Sequence, residues 1–231
     1  MPRLSIIVPV LDEAACIAAA LEALIPLRGR GAEVIVVDGG SRDDTVALAR
    51  PLSDHVIAAP RGRAAQMNAG AAAATGDILL FLHADTTSPP EADRLVLEGL
   101  ASGGWSWGRF DVQIKGRSPF LGIVAEFMNW RSLITGIATG DQAIFVTRAA
   151  FDAVAGFPDI ALMEDVALSK RLKRLGRPLC LAARVTTSGR RFDQGGVLRT
   201  VLLMWRLRLA FFLGAKPSAL ARRYGYAPRD G

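Results

Sequence analysis

Residues Leu4-Ser5-Ile6-Ile7-Val8-Pro9-Val10, followed at once by Leu11-Asp12-Glu13, decide the fold. This uncharged run, rich in β-branched side chains, predicts a strand covered on both faces, as in parallel sheets. The pattern repeats outward. Glu33 to Asp38 encloses Val34-Ile35-Val36-Val37, a second buried strand; His55 to Ala59 is a weaker one, and Ile78 to Leu82 is a third strong one. Helical stretches lie between them. Ile17, Leu21 and Leu24 fall at spacings of four and three after Asp12, which can cap that helix. Ser41-Arg42-Asp43-Asp44 fits a capping box that opens a second helix, and Arg63 to Thr75 is alanine-rich and helical. Strand and helix alternating at this pitch predict right-handed crossovers and an α/β fold, its mostly parallel sheet flanked by helices.

The second half is less regular. Trp105 to Ile114 alternates and reads as an edge strand, Ser118 to Leu133 as a helix, and Gln142 to Thr147 as a short strand. Val166 to Leu175 predicts a helix stopped by Gly176, with Pro178 beyond it. Pro178 to Val185 predicts a further strand. No internal repeat or low-complexity linker interrupts the chain.

Composition limits the function classes. At 231 residues with 51% apolar side chains, the chain suits one large domain with a sizeable core and excludes a disordered or collagenous protein. Cys16 and Cys180 cannot make a disulfide framework; both read as core residues, and a reducing compartment is expected. The start lacks the long apolar core of a signal peptide, and no apolar run is long enough to span a membrane. A cytoplasmic location is therefore expected. The net charge is +6, concentrated from Arg184 onward, where the only acids are Asp193 and Asp230. Such a tail suits a solvated helix, an anionic membrane surface or, less well, nucleic acid.

In an open parallel sheet, ligands bind beyond the carboxyl ends of the strands. Asp12-Glu13 follow the first strong strand, Asp38-Gly39-Gly40-Ser41 the second and His83-Ala84-Asp85 the third. Carboxylates there can accept the N–H of a nucleobase or hold a divalent cation against a diphosphate. Arg61, Arg63 and the helix start after them offer positive charge to phosphate. No dinucleotide glycine fingerprint follows the first strand and no Gly-Lys-Ser/Thr occurs, which argues against a dehydrogenase and a P-loop nucleotidase.

Taken in order, these blocks resemble the family 2 glycosyltransferases with the GT-A fold. The matching segments are Ser5 to Glu13, Val36 to Asp43, Asn68-Ala69-Gly70, Ala74 to Asp77, Leu80 to Asp85, Gly140-Asp141-Gln142 and Glu164-Asp165. The likeness covers about Leu4 to Val185. It looks closest to a compact bacterial subgroup of radical SAM and selenodomain-associated transferases, some of which carry the label arsenosugar biosynthesis glycosyltransferases. The resemblance implies that Pro9, Val10 and Leu11 line the nucleobase, that Glu13 sits near the ribose or base and that Asp38 accepts a hydrogen bond from the base. Arg61, Arg63 or Gln66 would approach the base or diphosphate. His83-Ala84-Asp85 stands where the family has Asp-x-Asp, so Asp85 would ligate Mn²⁺ or Mg²⁺, while His83 departs from the pattern. Asp165 would be the catalytic base with Glu164 beside it, and Gly140, Asp141 and Gln142 would meet the acceptor. A UDP-sugar is the commonest donor in the family, and the stereochemistry it implies is inversion.

A single GT-A domain over residues 1–190 is expected, followed over 191–231 by a basic amphipathic helical tail packed on the domain, a membrane surface or a partner subunit. Val197 to Leu213 is too charged to span a membrane and too apolar for a free helix. It suits an interfacial helix, a helix docked on the sheet, or a homodimer contact, which adds a peripheral position on the inner face of the membrane to the expectations. Arg190 and Arg191, on a loop after a strand, suit a lid over the diphosphate. The tail lacks the Gln-x-x-Arg-Trp pattern of processive synthases, so transfer of a single sugar to a small or lipid-linked acceptor is expected. The alternatives are a nucleotidyltransferase, which usually carries a glycine-rich, lysine-bearing loop absent here, and a non-catalytic nucleotide-sugar binding module. Nucleic acid is a poor choice, since the tail aromatics read as buried.

Overall fold

In a computed structural model, which describes residues 2–226, Leu4–Val10 forms β1 inside an eight-stranded sheet. Helices α1 (Ile17–Glu22) and α2 (Ile25–Gly29) lead to β2 (Glu33–Asp38). Helix α3 (Thr45–Ala49) leads to β3 (His55–Ala58), and α4 (Arg63–Ala73) to β4 (Ile78–Phe81). Strand β1 pairs in parallel with β2 and β4, and β2 with β3. The period of two along these strands divides the core. Ile6, Val8, Val34 and Val36 pack on one face of the sheet, whereas Ile7, Ile35 and Val37 pack on the other with Ala64 and Met67 of α4. Gly70 lets α4 approach so closely: a Cβ there would stand 2.4 Å from Ile7 Cγ2 and 2.9 Å from Val37 Cγ2.

The chain continues through β5 (Thr86–Thr87), α5 (Ala92–Gly103), β6 (Trp107–Lys115), α6 (Leu121–Thr135), β7 (Phe145–Thr147) and α7 (Arg148–Ala153). Then follow α8 (Glu164–Leu172), β8 (Leu179–Ser188), α9 (Arg190–Gly195), α10 (Val197–Phe212) and α11 (Pro217–Tyr224). The sheet order is β3-β2-β1-β4-β7-β6-β8-β5. Strand β7 runs antiparallel to both β4 and β6, whereas β6 and β8 are parallel. This mixed sheet with helices packed on it is the GT-A architecture that the resemblance implies.

Several local expectations are corrected. The strand at 107–115 is interior rather than an edge, because β8 adds on its far side, and its residues Trp107 to Phe110 are all buried. Asp12 does not cap α1. It adopts a positive φ of 53°, and its carboxylate accepts the Arg42 N–H at 2.7 Å. Ser41 caps no helix either: its hydroxyl donates to Asp38 and accepts the Asp12 N–H. Cys16 and Cys180 are half-buried rather than core residues. Trp205 and Phe212 are exposed, at 53% and 73%. One side of the C-terminal stretch packs inward, with Leu207, Leu220 and Ala221 against Leu162, Met163 and Val166. Met1 and residues 227–231, the end of the expected tail with Asp230, lie outside the described residues. Among the described residues no helix is long and apolar enough to cross a membrane.

Candidate active site

The carboxyl ends of β1 and β4 open into a cavity of about 1490 Å³. Its walls include Pro9, Val10, Leu11 and Glu13 after β1, and Arg61, Arg63 and Gln66 at the start of α4. His83, Ala84 and Asp85 follow β4; Gly140 and Asp141, Glu164 and Asp165, and Arg190 and Arg191 arrive from the second half of the chain. The fold therefore gathers most of the expected site residues around one space.

Three expected residues serve as braces. Asp38 is absent from the cavity wall, and its carboxylate accepts the N–H groups of Gly40 and Ser41 and the Ser41 hydroxyl. Gln66 donates to the carbonyls of Val10 and Val37, both at 2.8 Å, and accepts the Gly62 N–H. It lines the cavity with its polar atoms already engaged, and ties the ends of β1 and β2 together. Gln142 is fully buried, closes a capping box with Thr139 and donates to Asn129. All three are buried polar side chains whose hydrogen bonds are made within the protein.

The acidic side of the cavity is built on α8. Met163, the residue before the helix, has a φ of 69°. A methionine held there is strained, and this turn begins α8 at Glu164-Asp165. Asp165 Oδ2 accepts the Gly140 N–H at 2.8 Å and Oδ1 the Val166 N–H at 2.7 Å, so the carboxylate is fixed in direction. Glu164 is only 4% exposed. Burial and the adjacent Asp165 charge push its carboxyl above the usual range, with Arg63 opposing. His83 Nδ1 lies 3.4 Å from Asp141 Oδ1, and its ring covers Gly140, where a Cβ would stand 2.4 Å from Cε1. Burial alone would raise the Asp141 carboxyl, but its side chain is 41% exposed. The His83 hydrogen bond and the charges of His83, Arg63 and Arg191 hold it below the usual range.

Facing these acids is a set of cations. Arg63 lies over the Tyr226 ring at 5.1 Å, and Arg191 stacks on Tyr224 at 3.6 Å while donating to the Tyr224 carbonyl. Arg190 approaches Glu13 at 3.7 Å. Burial and the Glu13 hydrogen bond push the Cys16 thiol up to about 12, so it stays protonated and is a poor nucleophile. Arg131 and Arg208 also reach the cavity, as do Tyr224 and Tyr226. No motif marks these four in the sequence; they meet the site through the packing of α6, α10 and α11.

The family model for glycosyl transferase family 2 matches residues 5–122, just over half of the chain. The chain belongs to glycosyl transferase family 2. Among curated family relatives, the probable glycosyltransferase YdaM of Bacillus subtilis is 27% identical over 201 residues, 76% of this chain and 48% of that protein. A PGL/p-HBAD biosynthesis glycosyltransferase of Mycobacterium bovis is 39% identical over 101 residues, 41% of this chain and 39% of that protein. The chain thus spans about half the length, or less, of these curated relatives. Among solved structures, the mannosyltransferase PcManGT from Pyrobaculum calidifontis, in complex with GDP-Man and Mn²⁺, superposes with a TM-score of 0.65. It is 26% identical, over 98% of this chain and 66% of that one. Glucosyl-3-phosphoglycerate synthase from Mycobacterium tuberculosis, in complex with Mn²⁺, UDP and glucosyl-3-phosphoglycerate, gives 0.65 at 20% identity, over 99% and 82% of the two chains. At that identity the second likeness bears on the fold alone.

Proposed function

We propose that this family 2 protein transfers a single sugar from a nucleotide diphosphate sugar, UDP-linked being the first candidate, to an acceptor hydroxyl with inversion. The observation that carries the reading is one cavity walled by Asp85, which follows β4, Asp165 from the start of α8, and Arg63 and Arg191. Asp165, held by two backbone N–H groups, accepts the proton of the attacking hydroxyl. The acceptor oxygen displaces the diphosphate directly, which inverts the anomeric centre. Arg63 and Arg191 offset the charge that grows on the leaving diphosphate. The backbone of Pro9 to Leu11, with Glu13, faces the nucleoside.

A divalent cation fits beside Asp85. Among the described residues no three His, Cys, Asp or Glu side chains cluster as a ready metal cage. The protein thus offers the Asp85 carboxylate, with His83 as neighbour. Mg²⁺ and Mn²⁺ suit such a sparse set, since phosphate oxygens and water complete their shells. A bound cation would supply positive charge to the diphosphate. The Mn²⁺ in the PcManGT complex supports this reading.

A thermal-shift screen of nucleotide sugars with and without Mn²⁺ tests the donor site. A donor at about 100 times its Kd adds roughly 2.7 kcal/mol of stability, and the shift is expected to need both the metal and Asp85. Equal shifts in Asp85→Ala, or none with any donor, would refute the assignment. For the base, Asp165→Asn is expected to lower kcat by about 10²–10⁴-fold while the donor shift persists. Turnover within a few-fold of the parent would remove Asp165 from the mechanism.

A further inference from the structure

Among the described residues, twelve of the sixteen exposed large apolar side chains lie on or at the ends of α6 and α10, so this surface is gathered rather than scattered. On α10, Leu198, Leu202, Trp205, Leu209 and Phe212 are exposed and recur every three or four residues, which places them in one stripe. Thr200 and Leu207, on the opposite side of the helix, are the buried ones. Helix α6 repeats the arrangement: Ile123, Phe127, Trp130 and Ile134 face outward, whereas Leu121, Ala125, Asn129 and Ser132 face inward. A helix that buries one face ordinarily turns a polar face to water. Both of these turn a second apolar face outward, and the rings of Phe127 and Trp205, 5.7 Å apart, join the two stripes.

Charge selects the occupant of this face. At about 100° per residue, Arg199 and Arg206 lie along one margin of the α10 stripe and Arg208 along the other. No acid occurs from Val197 to Tyr224, and Lys216, Arg222 and Arg223 on and beside α11 are exposed. A second copy packed α10 on α10 would set like charges against each other. An anionic bilayer presents the opposite charge, and its interface suits tryptophans such as Trp130 and Trp205.

The same surface runs into the cavity. Ile123, Phe127 and Trp205 line both, and Arg131 and Arg208 line the cavity with them. Arg131 Nη1 donates to the Ile137 carbonyl, but its Nη2 is buried without a hydrogen-bond partner. No carboxylate among the described residues forms a close ion pair with either arginine, although the Asp165 charge reaches both. Burial and the neighbouring Arg208 charge push the Arg131 guanidinium down to about 10, with the Asp165 charge opposing. Two half-buried arginines side by side, one with a buried Nη2 that lacks a partner, leave positive charge only partly offset beside an apolar channel, which is a place for an anion.

We propose that the α6/α10 face docks on an anionic bilayer and that the acceptor is an amphiphile drawn from it. Its chain lies between the two helices and its anionic headgroup meets Arg131 and Arg208. This rests on reading the cavity as a transferase site, and it names the class of acceptor.

Cosedimentation of the full chain with vesicles of phosphatidylcholine, alone or mixed with phosphatidylglycerol, tests the surface. Binding is expected to the mixed vesicles and to weaken with salt. Leu202→Glu with Leu209→Glu is expected to lower it more than about tenfold. Neither residue lines the cavity, so the donor-induced melting shift persists and reports that the variant is folded. Reversal of the exposed charges in Arg199→Glu with Arg206→Glu is expected to cost about fivefold or more per site. Decyl phosphate, a soluble single-chain probe, is expected to raise the melting temperature more than inorganic phosphate does, and less in Arg131→Gln. The proposal falls if the mixed vesicles are not preferred, if the paired variants bind them as the parent does, or if decyl phosphate stabilises Arg131→Gln equally. It also falls if the parent is a dimer that Leu202→Glu with Leu209→Glu dissociates, since a second copy then covers the face. Vesicle binding without any donor shift would instead unseat the transferase reading.

Discussion

Adjacent Glu164 and Asp165 have different environments. Asp165 is half-buried and aimed by two backbone donors, whereas Glu164 is buried beside it and titrates above its usual value. Because the folded carboxyl holds its proton more tightly than the unfolded one, which titrates near 4.5, stability falls as pH rises above that value. Glu164→Gln keeps the shape and removes the charge. It is expected to raise the melting temperature by a few degrees at neutral pH, with the difference vanishing below about pH 4. Melting curves across that range check the sign; a variant less stable at neutral pH would show that the charge is compensated. The two acids are distinguished by surroundings, and nothing in the dipeptide itself announces which of them is buried. Asp38 makes the same point in reverse. It matches the family pattern at the end of β2, yet its oxygens are taken by the turn that follows, because a carboxylate at a tight Gly-Gly-Ser turn finds N–H donors within a few residues.

At the scale of elements, α4 shows how a short motif becomes geometry. Gly70 admits the helix against Ile7 and Val37, while Asn68, two residues earlier, bonds both the N–H and the carbonyl of Phe157. The segment that precedes α8 is thereby tied to the helix that carries Arg63. Gly70→Ala would set a Cβ 2.4 Å from Ile7 and is expected to destabilise the fold by about 1–3 kcal/mol. Denaturant unfolding reads that change, and a neutral result would mean that α4 can shift away from the sheet. Buried strands such as β1 and β2 were legible because an uncharged β-branched run has few other uses. The position of β6 was not, since alternation reports one covered edge or face and says nothing about a partner that arrives some seventy residues later.

Across the whole molecule, the C-terminal helices close the cavity that the sheet opens. Tyr224 and Tyr226 stack on Arg191 and Arg63, so the last described residues cover two of the cations that the proposed reaction uses. Tyr224→Ala is expected to loosen α11 by about 0.5–1 kcal/mol, the worth of an exposed cation–π contact. Faster amide exchange confined to residues 217–226 would report it, and unchanged exchange would mean that Leu220 and Ala221 hold the helix without the ring. By itself, the sequence determined the parallel strands, the order of the acidic blocks behind them and the family they resemble, because period-two burial and strand-end carboxylates are local patterns. The tertiary structure decided which of those acids face the cavity, which cations lie opposite, and that two helices turn apolar stripes outward. Those properties belong to pairs of elements distant in the chain, and only their packing sets the distances on which charge, burial and hydrogen bonding depend.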